Sequence, residues 1–248
     1  MRLLVAVIGI VLLAGCASMQ TPEAPVFADV QPFSANRPGV ELPRGWRAWI
    51  ITRTKAPTQY ELVVDPATQR VVLHAVAERA ATGLKQLLDV DPQQRPLITW
   101  QWRVQDLVQA ADNTDRHSDD APARLLLFFD GDRSTLPPRE QMLMDTARML
   151  TGQQVPFATM MYIWENQQPV GTAIPHAVLG QLKMVVVGRG RDRLGQWKTF
   201  ERNYVEDYQR AFGRPPGKLV GIGVLTDTDN TASAVEAFYG DIALKPAP

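Results

Sequence analysis

The residues best equipped for chemistry crowd into "TDTDNTASAVEAFYGDIAL", Thr226 to Leu244. Asp227, Asp229 and Asn230 alternate with Thr228 and Thr231, and Asp241 returns near the end of a strand-like stretch. Carboxylate and amide oxygens at this density suit calcium, which gathers about six to eight oxygen ligands. The stretch is not an EF-hand loop. Counted from Asp227, Thr231 stands at the third ligand position, Ala232 replaces the turn glycine, and Phe238 replaces the closing glutamate. A structural calcium held by Asp227, Asp229, Asn230 and Asp241 is one expectation. A polar turn, in which Asp and Asn bond their own backbone, is the other.

A second polar cluster is "ADNTDRHSDDAPAR", Ala111 to Arg124. His117, Ser118 and Asp119 are the residue types of a catalytic triad, but neighbours in sequence do not converge as a relay. His117 with Asp119 or Asp120 lacks a second ligand pair for a metal. The cluster reads as a solvated loop, with an Asp120–Arg124 ion pair that contributes little if exposed. Asp119, Asp120 and Arg124 remain candidate ligand contacts. Trp100 and Trp102 are either a platform for stacking a sugar or core residues. Their alternation with Ile98 and Val104 puts them on the more apolar face. Trp164 and Asn166 in "WEN" are further candidate ligand contacts. Gly-x-Ser-x-Gly and His-Glu-x-x-His are absent, "GRPPGKL" is too short for a phosphate loop, and "GRGRDRLG" does not fit Gly-x-Gly-x-x-Gly. No catalytic residue is assigned, although two carboxylates brought together by the fold would suffice for glycoside hydrolysis.

The start of the chain bears on location. Arg2 precedes an apolar run, Leu3 to Leu13, too short to be a comfortable membrane span, and "LAGC" ends at Cys16. Small residues before the only cysteine of the chain form a lipobox pattern. The expectation is a signal peptide over 1–15, a lipidated Cys16, a flexible tether through residue 38 and one domain over 39–248. Ala17 and Ser18 follow Cys16 with no aspartate, which by resemblance to Gram-negative lipoproteins directs the chain to the outer membrane, facing the periplasm. The 26 basic residues balance the 26 acidic ones, so a general nucleic-acid surface is not expected.

These residues must be positioned by strands. "QYELVVD" and "RVVLHAVAE" flank "PATQ", a hairpin signal. "LITWQWRV" alternates strictly, and "ARLLLFF" reads as a strand covered on both sides. Pro137 to Leu150 and "NYVEDYQRAFG" read as helices. The first gathers Met142, Thr146, Met149 and Leu150 on one face. The second has Asn203 as N-cap and Gly213 as stop. Many strands and two short helices predict a mainly β fold, an antiparallel jelly-roll sandwich with the helices in crossovers.

"LPRGW", "ITWQWRV", "DDAPARLLLFF", "MMYIWEN", "FERNYVEDYQRAFG" and "VGIGVLTDTDNTASAVEAFYGDIAL", in that order, resemble a bacterial family of unknown function, DUF family 3047. The closing "FYGDIAL" also resembles the last strand of galactose-binding-like jelly rolls and carbohydrate-binding modules. That likeness implies a structural calcium near Asp241, but Gly240 stands where a second aspartate is common. The function expected is a non-catalytic envelope module that binds a glycan or glycoconjugate. A scaffold lipoprotein that binds another envelope protein, and a glycan hydrolase or lyase, are the alternatives.

Overall fold

The alternation in "LITWQWRV" decides which way a sheet faces. In the computed structural model Ile98, Trp100, Trp102 and Val104 are buried, while Thr99, Gln101 and Arg103 are half-exposed on the opposite face. The structure describes residues 24–51, 54–152, 154–177 and 179–247. The leader and Cys16 lie outside the described residues.

The strands are β1 (Val26–Phe27), β2 (Arg47–Ile50), β3 (Gln59–Val64), β4 (Val71–Glu78), β5 (Ala81–Val90), β6 (Leu97–Val104) and β7 (Ala121–Phe129). They continue as β8 (Ala158–Glu165), β9 (Ala173–Pro175), β10 (Leu182–Arg189), β11 (Lys198–Asn203), β12 (Leu219–Asp227), β13 (Ala234–Tyr239) and β14 (Ala243–Lys245). The helices are α1 (Pro138–Thr151) and α2 (Tyr204–Phe212). Sheet one has eight strands in the order β1-β5-β12-β7-β8-β10-β9, with β2 also on β5. Sheet two has six, in the order β11-β6-β13-β4-β3, with β14 on β6. The chain passes between sheets at β2–β3, β4–β5, β5–β6, β6–β7, β10–β11, β11–β12 and β12–β13. This is the mainly β jelly-roll sandwich that the strand pattern predicts.

Three expectations are corrected in detail. The sheets are not wholly antiparallel: β10 runs parallel to β8, and β1 parallel to β5. A parallel neighbour needs a long return connection, and residues 166–181 supply it, carrying β9 on the way. Only α2 crosses between sheets; α1 joins β7 to β8 within sheet one. Residues 26–36, expected in the flexible tether, are bound to the sandwich. Val26 and Phe27 pair with Leu87 and Leu88. Phe33, 1% exposed, packs against Trp46 at 4.9 Å between ring centroids. A phenylalanine offers a large apolar area to bury, which the Pro- and Ala-rich composition around it conceals.

An aromatic layer fills the space between the sheets. Trp100 on β6 stacks on Tyr162 of β8 at 4.9 Å and on Phe200 of β11 at 4.8 Å. Trp102 meets Phe200 and Tyr239 edge-on. α2 closes this layer as its periodicity predicts. Tyr204 and Tyr208 are fully buried, Asn203 caps the Glu206 amide, and Gly213 ends the helix at φ 72°. The buried Asp207 of α2 accepts from the Tyr162 hydroxyl at 2.7 Å and from Arg202 at 2.6 and 2.8 Å.

Phe33→Ala should lower unfolding stability by about 3–5 kcal/mol, read as a fall in the urea midpoint. A midpoint equal to wild type would show that residues 26–36 contribute nothing to the sandwich.

Candidate functional site

The end of β12 lies beside the start of β7, because the two strands are antiparallel neighbours with Asp227 opposite Ala121. That register brings the "DTDNT" turn against the "SDD" end of the preceding loop. Two clusters distant in sequence thus meet at one end of sheet one.

Arg124 is their centre. It is 2% exposed. Its Nε and one Nη donate to the two oxygens of Asp227 at 2.9 and 3.1 Å, and that Nη also donates to Asp119 Oδ1 at 2.8 Å. Its other Nη faces the sulfur of Met184 at 3.2 Å. Asp120 accepts from the Thr231 amide and hydroxyl, both at 2.7 Å, and from the Asn230 amide at 3.2 Å. Asn230 in turn donates to the Asp119 carbonyl at 3.1 Å. Lys55 pairs with Asp229 at 2.5 Å. Burial raises the Asp227 carboxyl to about 6, with Asp119 and Asp120 adding to the rise and Arg124 pulling the other way. Burial opposes the charge on Arg124, but Asp227 and Asp119 hold its pKa above the ordinary arginine value.

Asp120, Asp227 and Asp229 each bring one carboxylate oxygen to within 4.8 Å of the others. These are the described residues that could hold a metal ion. The expected set is corrected in its last member: Asp241 lies on sheet two's side and accepts from the Ser34 amide at 2.9 Å and from its hydroxyl. It fastens the turn at Phe33–Ala35. Asn230 uses its side-chain amide on the Asp119 carbonyl.

The expected ligand contacts are corrected as well. Trp100, Trp102 and Trp164 are 1%, 0% and 1% exposed, so none is a platform for a sugar. Trp164 donates from its indole to the Gly190 carbonyl at 2.9 Å. A Cβ on Gly188 would come within 2.4 Å of the Trp164 ring, which is why glycine stands there. Asn166 donates to the Val108 and Ala111 carbonyls at 2.8 and 2.9 Å, pinning a loop. The expected Asp120–Arg124 pair is corrected too: Arg124 pairs with Asp119 and Asp227, and Asp120 is taken up by the Asn230 and Thr231 groups of the turn. The loop expected to be solvated has a buried end because the polar groups of one turn complete those of the other. His117 stays exposed.

A different place offers an open surface. The outer face of sheet two carries a cleft of about 290 Å³ lined by Ser34, Arg70, Gln101, Trp197, Thr199 and Glu201, with Asp241 and Lys245. Trp197 is half-buried there. Its indole N–H donates to Asp65 at 3.1 Å, and Arg103 lies over its ring at 5.3 Å. Arg103 also pairs with Asp65 at 2.7 Å and lies 4.1 Å from the Phe238 ring centroid. Burial works against the charge on Asp65, but hydrogen bonds from Thr68 and Trp197 and the Arg103 cation hold its carboxyl below the ordinary value. Asp65 also accepts from Thr68 in the β3–β4 turn, so one carboxylate joins a hairpin turn to the cleft wall. Trp197 and Arg103 are not legible as site residues in the sequence. The available signal was the outward parity of Thr99, Gln101 and Arg103.

Residues 44–243 match the family model described as "Protein of unknown function (DUF3047)". The chain belongs to this family. No curated protein sequence matches it. Among solved structures, this DUF3047 chain is similar to a β-1,2-glucanase from Parabacteroides distasonis, with 10% identity and a TM-score of 0.36. That match covers 82% of this chain but only 23% of the glucanase chain. It is also similar to the K3 adhesin domain of Lys-gingipain from Porphyromonas gingivalis, with 10% identity, a TM-score of 0.38 and coverage of 88% and 99% of the two chains. A third likeness is to endoglucanase 3 of family GH12 from Trichoderma harzianum, with 10% identity, a TM-score of 0.38 and coverage of 82% and 91%.

The raised Asp227 carboxyl sets a pH dependence. The folded state keeps a proton on Asp227 that the unfolded chain has lost, so stability from this group falls as pH rises from about 4 to about 6 and is flat above. Other shifted carboxyls, such as Asp65 and Asp112, lie below their ordinary values and act at lower pH. Burial lowers the His176 pKa, an opposing effect below about 6.5 that both proteins share. Unfolding free energy across this window should therefore have a more negative slope in wild type than in Asp227→Asn. An equal slope in both would assign it to another group.

Proposed function

We propose that this chain is a glycan-binding module of the bacterial envelope, held to the membrane through a lipidated Cys16, with its ligand seated in the cleft on sheet two. The carrying observation is Trp197, half-buried on the wall of an open cleft among Gln101, Thr199, Glu201 and Arg70. A pyranose presents an apolar C–H face and a rim of hydroxyls. An aromatic side chain suits the first, and paired amide, hydroxyl, carboxylate and guanidinium groups suit the second. The ring is anchored by Asp65 and backed by Arg103, so little conformational freedom is lost when it receives a ligand.

The Asp227 cluster enters this reading as an ion-paired strut and not as a calcium site. Arg124 and Lys55 already bring positive charge to Asp227 and Asp229, and a calcium ion would have to displace them.

Two measurements test these statements. Calorimetry against envelope oligosaccharides should detect binding that falls more than about tenfold in Trp197→Ala, as expected for an aromatic anchor, while the unfolding temperature stays near wild type. A folded protein that binds no glycan, or a variant that binds as well as wild type, would sink the cleft reading. The unfolding temperature should be the same in chelator and in millimolar calcium. A rise reversed by chelator and lost in Asp229→Asn would restore the metal reading.

A further inference from the structure

One edge of sheet one carries a pair of cations with no counter-charge. β2 lies antiparallel on β5 with Arg47 directly opposite Lys85. Directly opposite residues share a face of the sheet, and like charges placed so destabilise it. On the other side of β5, Lys85 faces Gly223 of β12, so neither flanking strand sets a carboxylate opposite it. Burial and the Arg47 charge lower the Lys85 pKa to about 8. Arg47 forms no ion pair among the described residues, and its Nε is buried without a hydrogen-bond partner.

A cavity lies beside this pair. β2 pairs with β5 as far as Lys85, and β1 takes over at Leu87. At that junction Ala24, Pro25, Gly45, Trp46, Arg47 and Leu87 line a space of about 220 Å³, with no carboxylate among them. Gly45, at φ 81°, backs onto Gln86, whose Nε2 a Cβ there would approach to 2.6 Å. Gln86 is fully buried. Its Oε1 accepts from the Gln31 amide at 2.9 Å, but its Nε2 has no partner. Buried donors are nearly always paired. An unpaired arginine donor on the wall of one cavity, and an unpaired amide donor behind that wall, point to an occupant rich in acceptors.

We infer that Arg47 and Lys85 bind a phosphate group at this cavity. A guanidinium presents a fork of N–H donors that fits phosphate oxygens, and an ammonium adds a point charge. A phosphate monoester carries about −1.5 to −2 charge at pH 7. Two cations balance that charge, whereas a carboxylate would leave one of them unmatched. Inorganic phosphate and a phosphorylated sugar both offer this chemistry. The site is on sheet one, apart from the cleft of sheet two, and stands whatever that cleft binds.

The test follows two indole N–H signals by NMR of the full chain in detergent, near neutral pH and at constant ionic strength. Trp46 reports on the cavity wall and Trp197 on the sheet-two cleft. The probes are inorganic phosphate, glucose 1-phosphate, glucose and acetate. The Trp46 signal should shift saturably with inorganic phosphate or glucose 1-phosphate, and the tighter of the two names the source. Acetate should bind more weakly by about tenfold, and glucose should leave Trp46 unmoved. Arg47→Met and Lys85→Met should each weaken phosphate binding about tenfold or more, as loss of a charged hydrogen-bonding partner does. In phosphate-free buffer Lys85→Met should unfold no lower than wild type, because it relieves the cation pair, so its weaker binding is not a folding defect. A Trp46 signal unmoved by both phosphates overturns the inference and leaves the two donors to water. Acetate binding as tight as phosphate overturns the assignment to phosphate. A shift confined to Trp197 places the anion in the cleft and overturns the site, as does wild-type phosphate binding in both variants.

Discussion

The stack of Trp100 on Tyr162 and Phe200 is the contact on which the arrangement depends. It joins sheet two to sheet one, and it does so from alternate positions of a single strand. With Trp100 and Trp102 turned inward, Thr99, Gln101 and Arg103 must turn outward, because a strand has a period of two. The same large rings that bind the sheets together therefore exclude themselves from any ligand site and put Gln101 on the cleft and Arg103 behind Trp197. Asp207 secures the layer from the helical side through the Tyr162 hydroxyl and Arg202. A one-residue slip in β6 would exchange the two faces and lose both the core and the cleft wall.

Charge is managed in two separate places. At the end of sheet one, Arg124, Asp119 and Asp227 are buried together, and neighbouring backbone amides fill the oxygens of Asp120. Such a cluster is costly to break, since removing one partner leaves another buried and unpaired. It ties the loop before β7 to the turn after β12. On the outer face of sheet two, Asp65 does comparable work nearer to solvent, joining a turn, an arginine and a tryptophan. The first cluster pairs most of its charges internally and leaves Asp229 Oδ1 buried without a hydrogen-bond partner. The second leaves part of an aromatic ring and several polar groups facing an open cleft.

The strand pattern, the β3–β4 hairpin, the caps of α2 and the family were all legible in the amino-acid sequence. Each is set by local chemistry: a period-two alternation, an Asx turn, an asparagine that caps and a glycine that accepts positive φ. The meeting of Asp119 and Asp120 with Asp227 and Asp229 was not legible, since it follows from the register of β7 against β12. Nor was the parting of Asp241 from that group, or the saturation of Asn166 by two backbone carbonyls. The choice between core and platform for Trp100 and Trp102 turned on which face of β6 met the second sheet. Sequence alone determined that this chain would alternate its strands into a sandwich with apolar inner faces. Only the tertiary structure decided which polar residues became partners and which faced solvent, because those pairings join segments more than a hundred residues apart, a distance no local pattern encodes.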